Sequence, residues 1–143
     1  DKTLDFEETL KTTEGILIDF FRGAFWVPCK EHLEKINNNI SEFQKRNVIF
    51  IAIASDSKNH LKELSNKFNY QFPLVSDRGA RIAKKFNVYT FGSAIDIIYL
   101  KTKLAIPSTF MINKEMNIIW RYIGTREDRP SIELLSSKMN EKL

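Results

Sequence analysis

The residue best suited to chemistry in this sequence is its single cysteine, Cys29. It follows the apolar run Ile16 to Phe21 and the loop residue Pro28, and it begins a pattern of apolar residues at helical spacing. A thiol in the first turn of a helix lies near unpartnered backbone amides and the positive end of the helix dipole, which both favour the nucleophilic thiolate. Alternatively, Cys29 is a small buried apolar residue, a common role for a lone cysteine.

Two charged residues lie near Cys29 in the sequence. Arg22 is six residues before Pro28, where its charge would favour the thiolate. Alternatively, Arg22 caps a strand end or pairs with a surface carboxylate. Asp19 interrupts the apolar strand pattern, so it is either a buried carboxyl suited to proton transfer or a strand-edge residue that points to water. The sequence leaves these alternatives open.

The aromatic pair Phe25 and Trp26 directly precedes the predicted helix. We expect these two side chains, with Ile106 and Pro107, to form a hydrophobic lip at the face that carries Cys29. Plain core packing of the two aromatic rings is the alternative.

Length and composition predict one α/β domain over residues 1–143, with 43% hydrophobic and 12% aromatic residues. No apolar stretch approaches the roughly 20 residues that span a bilayer. The net charge of +4 is spread along the chain and is not clustered with aromatic residues, which argues against a nucleic-acid partner. One cysteine excludes an intrachain disulfide, and His32 and His60 lack ligand spacing, so we expect neither a metal nor another cofactor.

The sequence begins at Asp1 and shows no signal-like apolar segment. This leaves room for a leader, an anchor or an N-terminal hairpin ahead of it. The localisation is therefore unknown, with the cytoplasm and the bacterial envelope both open, and the oligomeric state is not fixed either.

Strand and helix patterns alternate along most of the chain, which predicts a parallel sheet with helices on both faces, followed by a β-hairpin. The predicted strands are Ile16 to Phe21, Asn47 to Ala54, Gln71 to Ser76, Ser108 to Asn113 and Asn117 to Ile123. The segment Leu4 to Leu10 is predicted to be a short helix or a turn, and Pro28 to Arg46 the first long helix. Three further helices are predicted: one with Leu61, Leu64 and Phe68 on its inner face, one carrying Ile82, Ala83 and Phe86, and a last one whose cap and first turn are Asp128 to Ser131. The irregular stretch Val88 to Ala105 is expected to be an insertion near the site.

This order of elements resembles the thioredoxin fold in its peroxiredoxin-like branch, the alkyl hydroperoxide reductase and thiol-specific antioxidant redoxins. The segments that carry the resemblance are VIFIAIASDS, FPLVSD, IPSTFMINKEMNIIWRYIG and DRPSIELL. The resemblance covers nearly the whole chain and implies a central mixed sheet flanked by helices on both faces. It further implies that the bond between Ile106 and Pro107 is cis and that Pro107 packs against Cys29.

The sequence departs from the motifs of these relatives at the active loop. The motif of related redoxins is R-G-x-W-C-P-x-C, and that of the bacterial envelope thioredoxins is W-C-V-P-C-K-E. When either motif is aligned with this chain, Trp26 stands at the attacking cysteine and Cys29 at the second cysteine. A dithiol cycle within this chain is therefore impossible. The peroxiredoxin motif P-x-x-x-T-x-x-C places Cys29 on the peroxidatic cysteine, but Arg22, Trp26 and Pro107 replace the family's proline, threonine and arginine. Asp19 resembles the buried acid beneath the thioredoxin cysteines, with a loop one residue longer.

The resemblance implies a thiol-dependent oxidoreductase, with one-cysteine reduction of a peroxide as the favoured activity. Cys29 would be the nucleophile, Arg22 and Asp19 would assist it, and an external thiol such as thioredoxin, glutaredoxin or glutathione would reduce it. A disulfide is the other substrate class that the resemblance allows. The alternative from another class is a redox-inactive interaction module. In either case the predicted contact residues are Phe25, Trp26, Val27, Pro28, Ile106 and Pro107.

Overall fold

A computed structural model describes residues 5–21, 23, 27–91, 103–125 and 127–143. Its helices are α1 (Phe6–Thr12), α2 (Val27–Asn38), α3 (Ser41–Gln44), α4 (Lys58–Phe68), α5 (Arg81–Lys85) and α6 (Ile132–Lys142). Its strands are β1 (Gly15–Phe20), β2 (Val48–Ala54), β3 (Leu74–Ser76), β4 (Tyr89–Phe91), β5 (Lys103–Ala105), β6 (Ser108–Asn113) and β7 (Ile118–Ile123). No helix of the described residues is long and apolar enough to cross a bilayer.

The main sheet has five strands in the order β3-β2-β1-β6-β7. Strands β1, β2 and β3 are parallel, whereas β6 runs antiparallel to β1 and β7 antiparallel to β6. The two strands with the most continuous apolar runs, β1 and β2, are both interior strands, as such runs require. The predicted mixed sheet and its antiparallel hairpin are therefore confirmed.

Alternation along the strands separates the core into two apolar layers, one on each face of the sheet. One layer joins strand residues such as Leu17, Phe50 and Met111 to α2, α3, α4 and α6. The other joins Ile18 and Ile51 to α1 and α5.

Asp19 is the charged residue within β1. It stands between Ile18 and Phe20, whose side chains both belong to the layer with α1 and α5. Because successive side chains of a strand point to opposite faces, Asp19 lies on the same face as Leu17. That face is the one that α2 covers with Leu33 and its neighbours.

The helix predicted from Pro28 to Arg46 is two helices, α2 and α3, separated by a turn at Asn39 and Ile40. In this turn the backbone amides bond to carbonyls three residues back, Asn39 to Ile36 and Ile40 to Asn37. The side chain of Asn39 donates to the Lys35 carbonyl at 2.8 Å. Asparagine side chains compete for helix carbonyls in this way, which explains the end of α2.

Other boundaries also differ from the predicted ones. Strand β3 is shorter than the predicted Gln71 to Ser76, because Pro73 has no amide to donate to a neighbouring strand. Phe68, predicted on the inner face of its helix, is 42% exposed. It is the last residue of α4, where Asn69 adopts a left-handed conformation and turns the chain, and its ring stacks on Tyr70.

The two ends of the predicted insertion, Val88 to Ala105, form a small antiparallel pair, β4 and β5. Residues 92–102 lie outside the described residues, so the position of the insertion near the site stays a prediction. The predicted first helix corresponds to α1, and residues 1–4 also lie outside the described part of the chain.

Candidate active site

Cys29 is the third residue of α2 and is 1% exposed. The predicted position in the first turn of a helix is therefore confirmed. Its side chain belongs to the apolar layer that also contains Leu33 and Ile36 of the same helix. The thiol is thus held at the end of a helix and largely removed from bulk water.

The guanidinium of Arg129 donates from Nη2 to the Sγ atom of Cys29 over 3.1 Å. Arg129 lies 100 residues further along the chain, in the segment between β7 and α6. A charged donor at this distance stabilises negative charge on sulfur, since the guanidinium is always protonated. The arrangement therefore supplies a cation directly at the only thiol of the chain.

Backbone carbonyls hold the Arg129 side chain in this orientation. Nη1 donates to the carbonyl oxygens of Thr125 and Asp128 at 2.7 and 2.8 Å. The Nε atom is buried and has no hydrogen-bond partner among the described residues. Planar guanidinium geometry lets one group reach the loop carbonyls and the sulfur together, which a lysine ammonium on a flexible stem would not reproduce.

Tyr122 of β7 fixes the segment that carries Arg129. Its hydroxyl donates to Oδ2 of Asp128 at 2.7 Å, and the Asp128 amide donates to Oγ1 of Thr125 at 3.1 Å. The hydrogen bond to Asp128 raises the pKa of Tyr122 above its ordinary value, with a further increase from desolvation. Asp128 is therefore tied both to β7 and to the loop that follows this strand.

Gly124 brings the same segment close to the loop at Pro107. Its amide donates to the Pro107 carbonyl at 2.7 Å. A Cβ atom at this position would clash with the Asp128 carbonyl and would lie 3.1 Å from the Pro107 carbonyl. Glycine is required here because two backbone segments approach where a side chain would stand.

The described residues contain no cis peptide bond, so the predicted cis bond between Ile106 and Pro107 is wrong. The tertiary amide before a proline weakens the preference for the trans form, but trans still has the lower free energy. The backbone at this loop is held on both sides, since the Ile106 amide donates to the Val88 carbonyl and the Pro107 carbonyl accepts from Gly124. The predicted packing of Pro107 against Cys29 stays a prediction.

A buried polar group lies under α2 on the same face of the sheet. Asp19 of β1 is paired in register with Thr109 of β6, and the Thr109 hydroxyl donates to Asp19 Oδ1 at 2.8 Å. Asp19 Oδ2 faces His32 Nε2 of α2 at 3.3 Å. All three residues are buried, so Asp19 does not point to water, and the buried alternative for it is the observed one.

The contact between Asp19 and His32 satisfies an ion-pair distance but not a hydrogen-bond geometry. Both Asp19 Oδ2 and His32 Nε2 are buried and without an aligned hydrogen-bond partner among the described residues. The distance establishes proximity, and the poor alignment means that this contact is weaker than a well-directed charged hydrogen bond. Buried polar atoms in this condition are uncommon in folded proteins.

A polar groove of about 470 Å³ separates α2 from the segment that carries Arg129. Pro28, His32 and Lys35 line it from α2, and residues 127–133 line its other side. The groove thus reaches Arg129, which contacts the sulfur, and His32, which contacts Asp19. The described residues contain no group of three or more histidine, cysteine, aspartate or glutamate side chains arranged to hold a metal ion.

The structure brings together two of the predicted site residues, because Cys29 of α2 and Asp19 of β1 both lie in the layer between α2 and the sheet. Val27 is 58% exposed, Pro28 and Ile106 are half-buried, and Pro107 is buried. Arg22, Phe25 and Trp26 lie outside the described residues, so their predicted roles stay predictions.

Sequence reasoning missed three residues of the site, Arg129, His32 and Thr109. Nothing in the sequence identified Arg129 as a site residue, because the residues around it indicated only the start of the last helix. His32 did carry a signal, because it lies three residues after Cys29 and such a spacing places two side chains on one face of a helix. Thr109 is identified only by the pairing of β6 with β1, and the sequence does not specify the register of that pairing.

Three comparisons with known proteins agree with this architecture. The model of the AhpC/TSA family matches residues 2–121. The thiol-disulfide oxidoreductase ResA of Bacillus cereus is 21% identical over 112 residues, and that of Geobacillus thermodenitrificans is 24% identical over 113 residues. Each match covers 78% of this chain and 56% of the relative, so the chain spans about half the length of these relatives.

Solved structures of peroxiredoxins share the fold. A mutant of the peroxiredoxin 6 of Arenicola marina has a TM-score of 0.84 at 15% identity, covering 96% of this chain and 64% of that chain. The bacterioferritin comigratory protein of Xanthomonas campestris has a TM-score of 0.77 at 17% identity, covering 93% and 82%. At these identities the likeness establishes the fold, which is the thioredoxin fold in its peroxiredoxin-like form.

Proposed function

The chain belongs to the AhpC/TSA family, and on that premise we propose that it is a thiol-dependent oxidoreductase that reduces a peroxide through Cys29. The observation that carries this proposal is the 3.1 Å contact between Arg129 Nη2 and Cys29 Sγ. A buried thiol with an apolar role has no need of a buried cation. A buried thiol that reacts as the thiolate does need a cation, because the cation offsets the cost of burying the negative charge.

The reaction follows from the chemistry of a single thiol. The Cys29 thiolate attacks one peroxide oxygen, the O–O bond breaks, and the sulfur is oxidised to a sulfenic acid. The departing oxygen takes up a proton and leaves as an alcohol, or as water when the substrate is hydrogen peroxide. One external thiol then condenses with the sulfenic acid and releases water, and a second external thiol reduces the mixed disulfide and regenerates Cys29.

Arg129 has two roles in this proposal. Its charge stabilises the thiolate that attacks, and during attack its remaining donor capacity orients the peroxide oxygens and stabilises charge on the departing oxygen. Sequence reasoning had suggested Arg22 for this role. In the peroxiredoxins the role belongs to an arginine, and that motif position is occupied by Pro107 in this chain. The groove is a route for a small peroxide, since Pro28 and Arg129 both line it.

The test is peroxide consumption with dithiothreitol as the external thiol. We expect the wild-type protein to consume peroxide and Cys29→Ser to fall to the background rate, because a hydroxyl is far less acidic than a thiol. We expect Arg129→Ala to lose about 100-fold or more, the effect of removing one charge-stabilising donor. Arg121→Ala is the matched control, because Arg121 is an exposed arginine on β7.

The 1% exposure of Cys29 favours a second candidate, a redox-inactive module that binds a partner. The two candidates differ in the reactivity of the thiol. Peroxide consumption that persists unchanged in Cys29→Ser, or a wild-type Cys29 that forms no sulfenic acid with excess peroxide, would contradict the enzymatic proposal. Trapping the sulfenic acid with dimedone and locating the adduct by mass spectrometry distinguishes these results.

A further inference from the structure

We propose that the edge of the main sheet at β3 is a docking site for an extended, acidic peptide segment of a partner protein. The site is a groove of about 640 Å³ that follows β3 and is bordered by α1, α4 and α5. Its lining includes neither Cys29 nor Arg129. The inference is therefore independent of the proposed peroxide reduction, and either can fail without the other.

The backbone of β3 is paired with a neighbouring strand on one side. Among the described residues, β3 is an outer strand of the main sheet, with β2 as its only neighbour. The carbonyl of Pro73 and the amide of Asp77, on either side of β3, hydrogen-bond to β2 at 3.1 and 2.6 Å. Because backbone groups alternate in direction along a strand, those of Val75 also point to β2, whereas those of Leu74 and Ser76 point away from it. These two residues thus present donors and acceptors to a further strand.

The side chains of β3 show that this edge is accessible. All three residues of β3 are half-buried, whereas all six residues of the interior strand β1 are buried. Leu74 packs against the apolar layer that contains α4, and Val75 packs against the layer that contains α1 and α5. Both residues line the groove. The groove therefore extends around the edge and borders both faces of the sheet.

An extended peptide is the occupant whose chemistry matches this edge. Its backbone amides and carbonyls alternate with the same spacing as those of β3, and its side chains point alternately to the two faces. Addition of a strand to a sheet edge is a general mode of peptide recognition, in which the main-chain hydrogen bonds provide affinity. A ligand without a peptide backbone would leave the outward groups of Leu74 and Ser76 to water.

The charge of the groove indicates that the peptide is acidic. Among the described residues, the charged side chains that line it are those of Lys58 and Lys62. They are four residues apart on α4 and therefore lie on one face of this helix. The first turn of α4 contains no acidic residue, so the positive end of the helix dipole adds to the charge of the lysines. Exposed charges of this kind select a partner more than they tighten its binding.

The two sides of the groove suit different side chains. Lys58 and Lys62 lie on the side of α4, whereas Phe6, Val75 and Ile82 belong to the apolar layer on the other side. A strand added beside β3 would direct alternate side chains to these two sides. The matching segment therefore carries a glutamate or an aspartate at every second position and an apolar residue between them.

A second copy of this chain matches the groove less well. If two β3 edges paired in an antiparallel arrangement, both copies of α4 would lie on the same face of the joined sheet. Lys58 and Lys62 of one copy would then approach those of the other, and like charges across an interface weaken binding. The occupant is therefore a segment of opposite charge.

The test is calorimetric titration of the full chain with a blocked hexapeptide of alternating valine and glutamate. The same peptide with lysine in place of glutamate is the control for charge. Lys62→Glu reverses a lysine that lines the groove. The matched control is Lys67→Glu, which makes the same change of charge on the same helix but outside the groove lining, where the ammonium lies 5.4 Å from the centre of the Phe68 ring.

We expect the glutamate peptide to bind saturably, with a dissociation constant below about 1 mM. We expect Lys62→Glu to raise this constant at least about fivefold, because an attractive contact becomes a repulsive one, and Lys67→Glu to leave it unchanged. No saturable binding by wild type would overturn the proposal. So would equal weakening by both variants, or equally tight binding of the lysine peptide.

Amide hydrogen exchange, followed by NMR, tests the strand pairing itself. We expect saturating glutamate peptide to slow exchange at Leu74 and Ser76, whose amides point away from β2, and to leave Val75 unchanged. Peptide binding without slower exchange at the first two amides would overturn docking at this edge. If the same amides slow with rising protein concentration and no peptide, the occupant is a second copy and the proposal of an acidic partner is wrong.

Discussion

Thr109 on β6 and Asp19 on β1 are directly paired across the sheet, and the Thr109 hydroxyl donates to Asp19 Oδ1 at 2.8 Å. Both residues are 1% exposed. The carboxylate therefore receives its one directed hydrogen bond among the described residues from the neighbouring strand, whereas its contact with the helix above is not aligned. The sheet, more than α2, fixes the position of this carboxyl group.

Thr109→Val tests this dependence. Valine keeps the shape of threonine but removes the donor, and a buried carboxylate that loses a hydrogen bond costs about 1.5–3 kcal/mol. We expect the free energy of unfolding, measured with urea at neutral pH, to fall by that amount. Thr109→Ser keeps the hydroxyl and serves as the control. A valine variant as stable as the serine variant would show that the bond contributes nothing.

The strands of the main sheet follow from local sequence, and the site does not. Runs such as Val48 to Ala54 are continuous and β-branched, so they indicate interior strands without reference to the rest of the chain. The contact between Arg129 and Cys29 depends on how β7 ends and how the next segment turns back. Local patterns carry no information about that turn, which is why sequence reasoning did not identify Arg129.

Gly124→Ala tests the turn that positions Arg129. The added Cβ would meet the Asp128 carbonyl and the Pro107 carbonyl, and both are backbone atoms that cannot rotate away. We expect a loss of about 1–3 kcal/mol in unfolding free energy, as for other overpacked sites. We also expect slower reaction of Cys29 with a neutral disulfide reagent, because moving Asp128 moves the adjacent guanidinium.

Gly79→Ala is the control for that variant. Gly79 has a φ of +77°, and nothing lies within 4 Å of a Cβ built there. We expect a loss of about 1–2 kcal/mol from the left-handed conformation alone. The rate of Cys29 should not change. If both glycine variants slow Cys29 equally, the effect of Gly124→Ala reflects lost stability and not displacement of Arg129.

Tyr122→Phe tests the hydrogen bond that anchors Asp128. The phenol donates to Asp128 Oδ2 at 2.7 Å at an exposed position, so we expect a loss of about 0.5–1.5 kcal/mol in unfolding free energy. Because this bond raises the pKa of Tyr122, the folded protein holds the phenol proton more tightly than the unfolded chain does.

The stabilisation from Tyr122 is therefore complete below the ordinary tyrosine pKa of about 10 and is lost as the pH rises through the raised value. Unfolding measured at rising alkaline pH should show a smaller difference between wild type and Tyr122→Phe. A difference that stays constant across this range would contradict the assignment of the raised pKa to the bond with Asp128.

The last prediction concerns Trp26, which the motif W-C-V-P-C-K-E of the bacterial envelope thioredoxins aligns with their attacking cysteine. An indole forms no mixed disulfide, so we expect the wild-type chain to fail to reduce insulin disulfides with dithiothreitol as the recycling thiol. Trp26→Cys restores the spacing of two intervening residues, Val27 and Pro28. Cys29 is buried and Val27 is exposed, so we expect the introduced thiol to attack and Cys29 to resolve.

A disulfide requires Cα atoms about 4.4–6.8 Å apart, which residues three apart at a helix start can meet. We expect mass spectrometry of oxidised Trp26→Cys to show the loss of a pair of hydrogen atoms per chain without dimer formation, together with insulin reduction. Trp26→Ser is the matched control, because it removes the indole and adds no thiol. A folded Trp26→Cys protein that forms no intrachain disulfide would show that Trp26 and Cys29 do not occupy the positions of a dithiol pair.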